Sequence, residues 1–170
     1  MHIVKDPDPR QTLRGFRILV AEDEGLIAML LKDCFADAGA QVIGPAGRVD
    51  AALRLVDEAM AGGGLNAAVL DLNLNGAWAT PIADRLFGLK IPFLFVTGYC
   101  KSDLRFMPVQ VIYKPFDFDR LINAVQELTS FNGSGQPSFH IPPISFRANA
   151  LKAWLGPSGA PRRRGDFAAR

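Results

Sequence analysis

Residues 16–130 predict an α/β fold, a doubly wound five-stranded parallel sheet with helices on both faces. Three observations carry that expectation. Five short β-favouring runs recur along the chain, most of them continuously apolar rather than alternating, as strands covered on both faces are. Stretches with apolar residues at helical spacing separate them. Polar residues then stand at the C-terminal ends of four runs, which is where an open sheet of this kind binds its ligands.

The first run, Phe16 to Ala21, is followed at once by Glu22, Asp23 and Glu24. A helix comes next, with Ile27, Leu30, Leu31, Cys34, Phe35 and Ala38 at helical spacing and Gly39 at its end. The second strand is expected over Gln41 to Ile43. Its helix carries Ala52, Leu55, Val56 and Ala59 and stops before "GGG" at 62–64. Strand three, Ala67 to Leu70, runs into Asp71, and a third helix starts at Thr80 with Pro81 at its first position, where a missing N–H costs nothing. Strand four, Phe93 to Thr97, precedes "CKSDLRFMP", the weakest helical stretch. Strand five, Val109 to Tyr113, ends on Lys114. Asp117 can cap a last helix with Leu121, Ile122, Val125 and Leu128 on one face. Strands alternating with helices give right-handed crossovers, and five strands suit the flavodoxin-like order 2-1-3-4-5.

The 170 residues, 49% hydrophobic and 21% charged, suit one globular domain with appendages, an N-terminal extension over 1–15 and a tail over 131–170. Charge divides along the same line. Residues 1–130 hold 13 Lys and Arg against 16 Asp and Glu, net −3, whereas residues 131–170 hold 6 against 1, net +5. The tail is rich in Gly, Pro and Ser, has one weak helical stretch at Ile144 to Leu155, and is expected to be largely disordered. No apolar run nears the roughly 18 residues a membrane span needs, and "MHIVKDPDPR" is too polar for a signal peptide, so a cytoplasmic location is expected. Cys34 and Cys100 sit in unlike settings and are expected to be plain thiols. His140 has no metal-ligand spacing around it and is expected to be solvated.

The topology brings Glu22 and Asp23, Asp71, Thr97 and Lys114 to one edge of the sheet. Carboxylates from two adjacent strands make a hard oxygen site that suits Mg²⁺, and the cation removes their mutual repulsion. An Asp facing such a cation is a candidate nucleophile toward phosphorus. The three peripheral oxygens of the resulting acyl phosphate would meet Mg²⁺, Lys114, and the Thr97 hydroxyl with nearby backbone N–H groups.

The four motifs "ILVAEDE", "VLDLNLNG", "VTGY" and "YKPF", with Asp23, Asp71, Thr97 and Lys114 separated by 48, 26 and 17 residues, give residues 16–129 a specific resemblance. They resemble the receiver domain of bacterial two-component response regulators. That resemblance implies Asp71 as the phosphorylated residue and Asp23 as a direct Mg²⁺ ligand. It implies Glu22 as an outer acid acting through water, and Asn73 as a ligand through its backbone carbonyl. Thr97 is implied as the switch hydroxyl, Lys114 as the phosphate-pairing lysine, and the Lys114-Pro115 bond as cis. The wording "PFLFVTGYC" at 92–100, with no proline at position 75, resembles the FAT GUY receivers, often stand-alone and typically paired with HWE or related histidine kinases. Three departures stand out. Glu22 replaces the usual Asp, Val96 stands where the subgroup has Ala, and Val111 stands where many receivers carry an aromatic switch residue, a part Tyr99 is expected to take.

The implied protein is not a turnover enzyme but a stand-alone phosphoacceptor with self-catalysed phosphorylation and dephosphorylation. Its expected partners are a sensor histidine kinase or histidine phosphotransfer protein, a downstream protein, and in one possibility a second copy; it would otherwise serve as a phosphate sink. An alternative reads the tail, with Arg162, Arg163 and Arg164, as a nucleic-acid-binding output. A Mg²⁺-dependent phosphatase of similar topology is disfavoured, because such enzymes usually place a second Asp two residues after the nucleophile and this chain has Asn73 there.

Overall fold

The computed structural model describes residues 12–98 and 109–130. Tyr99, Cys100, the weak helical stretch that follows it, most of the N-terminal extension, His140 and the whole 131–170 tail lie outside the described residues.

The elements run β1 (Arg17–Ala21), α1 (Gly25–Asp37), β2 (Gln41–Ala46), α2 (Val49–Ala61), β3 (Ala67–Asp71), β4 (Asn73–Leu74), β5 (Ala77–Trp78), α3 (Thr80–Gly88), β6 (Phe93–Thr97), β7 (Val111–Tyr113) and α4 (Phe118–Thr129). The five long strands form one parallel sheet in the order β2-β1-β3-β6-β7, the expected doubly wound arrangement. β4 and β5 form a separate two-stranded hairpin that the sequence reading did not foresee.

Continuous apolarity in the strands has a simple packing origin. Alternate residues enter two cores on opposite faces. Leu19, Ala68, Leu70, Phe93 and Phe95 pack with Val56, Ile82 and Leu86 of α2 and α3. Ile18, Val20, Val69, Leu94 and Val96 pack with Leu31 and Phe35 of α1 and Leu121, Val125 and Leu128 of α4. Leu13 joins the second core fully buried, so the packed body begins before residue 16.

Two element details depart from the sequence reading. β2 continues through Gly44-Pro45 to Ala46 instead of stopping at Ile43. A bulge makes this possible, since Ile43 pairs with Leu19 but Ala46 pairs with Ala21, one residue out of step. Gly44 has φ +103°, and a Cβ there would lie 2.7 Å from the Val20 carbonyl oxygen, so only glycine fits the position. The Gly44-Pro45 and Lys114-Pro115 bonds are both cis. On α1, Leu30 is 40% exposed and joins Leu26 and Met29 on an open side, while Ala28, Leu31 and Phe35 are the buried residues. The cap expected at Asp117 is present, its carboxylate accepting from the Asp119 N–H at 3.0 Å.

Candidate functional site

The C-terminal ends of β1, β3, β6 and β7 open into a cleft of about 330 Å³ lined by Asp23, Glu24, Asp71, Asn73, Thr97, Gly98 and Lys114. Glu22 is buried beneath it. Its N–H donates to the Ala46 carbonyl at 3.0 Å, so the bulged end of β2 fixes where β1 releases its acids. The Lys114 N–H donates to the Thr97 carbonyl at 2.8 Å, extending the β6–β7 ladder to the lysine.

Lys114 Nζ lies 2.8 Å from Glu22 Oε2, 2.8 Å from Asp71 Oδ2 and 3.0 Å from Glu24 Oε1. Burial alone would lower the lysine's pKa. Its close pairing with Asp71, Glu22 and Glu24 outweighs that effect and holds it above its ordinary value. Glu24 is the N-cap residue of α1 and a lysine partner as well. Glu22, Asp23 and Asp71 each offer one oxygen, and these three oxygens lie within 4.8 Å of one another. Asp71 is held by the Asn73 N–H, which donates to Oδ1 at 3.1 Å. Thr97 is fully buried at the same edge. The predicted residues Glu22, Asp23, Asp71, Asn73, Thr97 and Lys114 therefore converge, and only Tyr99 lies outside the described residues.

The donor set fits Mg²⁺. It consists of oxygens alone, it opens on a cleft with room for water and phosphate oxygens, and it includes a buried carboxylate oxygen that accepts no hydrogen bond. Glu22 Oε2 meets Lys114 only as an ion pair, without the alignment of a hydrogen bond. Burial pushes the Glu22 carboxyl above its ordinary range, with Lys114 opposing and the charge of Asp71 adding to the rise. A carboxyl raised in this way contributes stability that is fully present below its ordinary value of 4.5 and is lost as pH climbs through the raised value. Because a cation binds only the ionised form, Mg²⁺ affinity should fall on acidification at a higher pH than exposed carboxylates would dictate. Mg²⁺ titrations across that range check this, and a Glu22→Gln variant should lose the Glu22 component of the pH dependence.

Asn75 is the site residue that sequence reasoning missed. Its N–H donates to Asp23 Oδ2 at 2.9 Å, and its Nδ2 donates to the Gly47 carbonyl at 2.9 Å. Asn75 and Gly76 are the two loop residues of the β4–β5 hairpin, with φ +53° and +84°, as a two-residue turn of primed type requires. The Gly76 N–H closes the turn on Asn73 Oδ1 at 2.9 Å. The signal was present as the Asn-Gly pair in "DLNLNG". Asn75→Ala should destabilise the domain by about 1–2 kcal/mol, since alanine tolerates the left-handed region poorly. It should also weaken Mg²⁺ binding by loosening Asp23, and chemical denaturation with and without Mg²⁺ measures both.

No protein-family model matches the sequence, and no curated protein matches it significantly. Solved structures do match. The response regulator PhyR from Brucella abortus aligns over 69% of this chain with a TM-score of 0.59 at 24% identity. The alignment spans about half of that protein, 49% of its length. A response regulator receiver domain protein from Clostridium thermocellum aligns over 67% of this chain and 94% of its own, with a TM-score of 0.58 at 19% identity. A response regulator receiver protein from Sinorhizobium medicae aligns over 67% and 94%, with a TM-score of 0.55 at 21% identity. Among the described residues no helix is long and apolar enough to cross a membrane. At these identities the likeness is one of architecture, and the chain has the flavodoxin-like fold of response regulator receiver domains.

Proposed function

We propose that the protein is a receiver of the FAT GUY kind, in which Asp71 accepts a phosphoryl group from a phosphohistidine on a sensor histidine kinase or phosphotransfer protein. One observation carries the reading. Lys114 Nζ lies 2.8 Å from both Glu22 Oε2 and Asp71 Oδ2 at the mouth of a cleft formed by four strand ends.

In the transfer, the P–N bond to the donor imidazole breaks as a P–O bond to an Asp71 oxygen forms, and the imidazole leaves with the bonding pair. Glu22, Asp23, Asp71 and the Asn73 carbonyl would hold Mg²⁺, which when bound supplies positive charge to a phosphoryl oxygen. Lys114 already stands beside the attacking carboxylate and pairs with a second oxygen. Thr97, at the end of the strand next to Asp71's strand, takes the third and changes the β6–β7 surface as it does so, with Tyr99 completing the readout. The output is binding of a downstream protein or removal of phosphate from a shared kinase. The protein is cytoplasmic in this reading and performs no turnover on a separate substrate.

Acetyl phosphate tests the reading without knowledge of the cognate kinase. With Mg²⁺ it should leave one hydroxylamine-labile phosphoryl group on the protein, and EDTA should abolish the reaction. An unlabelled protein under saturating Mg²⁺ would overturn it.

A further inference from the structure

Leu26, Met29 and Leu30 are 70%, 60% and 40% exposed, and the four-residue periodicity of α1 puts them on one side of the helix. The opposite side, through Leu31 and Phe35, is in the core shared with α4. One turn and two turns further along, the same open side carries Asp33 and Asp37. The seam with α4 is acidic too. Burial, with the charges of Asp119 and Asp37 adding, pushes the Cys34 thiol up to about 11. This is an apolar patch that runs into negative charge.

We propose that residues 144–155 of this same chain dock across that side of α1. Three observations favour this occupant. The first is charge. The stretch "ISFRANALKAWL" has Arg147 and Lys152 and no acid, within a tail of net +5 against a body of net −3. The second is pattern. At helical spacing Ile144, Ala148, Leu151 and Leu155 share a stripe, with Trp154 beside it and the two basic residues flanking it. The third is reach. The Gln126 Nε2 donates to the Thr12 carbonyl, and the Leu13 N–H donates to the carbonyl of Ala38, the residue that closes α1. The tail therefore leaves α4 at the Ala38 end of α1. The 13 residues from 131 to 143 can span up to about 45 Å, more than twice the roughly 20 Å length of α1. Tethering also replaces a bimolecular encounter with a local one, at an effective concentration on the order of millimolar.

A segment seated at Leu26 stands two residues from Glu24 on the rim of the Asp71 cleft.

The chain has two tryptophans, Trp78 and Trp154, so the full-length Trp78→Phe protein reports on Trp154 alone. Its emission should be blue-shifted, and acrylamide should quench it several-fold less than free indole, to the same degree at every protein concentration. Leu26→Asp, at an exposed position, should bring the quenching back to the free value, and so should Leu151→Asp in the segment itself. Free-indole quenching in the parent protein would overturn the proposal and leave the patch to another protein. Protection that ignores Leu26→Asp would overturn it by placing the segment elsewhere. Protection that grows with concentration would overturn it in favour of a second copy. Acetyl phosphate labelling of the same proteins separates the two readings, since its failure removes the phosphoacceptor and leaves the docking result intact.

Discussion

Asp71→Asn should reduce Mg²⁺-dependent labelling by acetyl phosphate to background while the protein stays folded. The substitution keeps the shape of the side chain and its carbonyl oxygen, which can still accept the Asn73 N–H that now reaches Oδ1. It removes the nucleophile, because a neutral amide oxygen does not form a stable acyl phosphate. One of the three converging carboxylates also goes, so Mg²⁺ should bind more weakly. Lys114 keeps Glu22 and Glu24 as partners, which is why the fold should survive. Mass spectrometry after acetyl phosphate treatment reads the first effect, and Mg²⁺ titration reads the second. Undiminished labelling of the variant would place the acceptor on another residue.

Lys114→Met should give the largest stability change. Glu22 is 2% exposed, Asp71 is 8% exposed, and the lysine ammonium bridges them. Removing one member of a buried charge set typically costs about 3–5 kcal/mol, because the remaining charges lose their compensation. The cleft admits water on one side, so a loss of about 2–3 kcal/mol is expected here. Methionine retains the apolar stem and isolates the effect of the charge. Mg²⁺ should restore a larger share of stability in the variant than it adds to the parent, since it supplies the missing positive charge. The lysine's raised pKa sets the pH window. On the alkaline side its contribution is intact up to its ordinary 10.5 and is lost as pH rises beyond that through the raised value. Urea denaturation at pH 7 with and without Mg²⁺ measures both quantities. Equal midpoints for variant and parent in the absence of metal would contradict the electrostatic account.

Much of this was legible in the sequence because the relevant signals are local. Runs such as "FLFV" are apolar at every position, and only strands covered on both faces need that. Polar residues ending four such runs marked the cleft, since the strand order brings those ends together. Asp117 announced its helix through an ordinary cap. Other features depended on pairing that no local pattern records. Gly44 and Pro45 are poor strand formers by type, and only opposite β1 does their bulge prolong the strand. In α1 the residues Leu26 to Leu31 are all apolar, so periodicity could not say that Leu30 faces outward. Asn75 was hidden for a different reason. Its Asn-Gly turn was visible, but its bond to Asp23 joins positions 52 residues apart.

The bulge in β2 has a wider meaning for the metal centre. β2 is an edge strand and supplies no side chain to the cleft, yet its extra residue brings Ala46 into step with Glu22 as a vernier aligns two scales. The spacing of the acids is thus calibrated from the periphery of the sheet. Changes at position 44 would mistune the centre from a distance, without touching any residue that holds the ion.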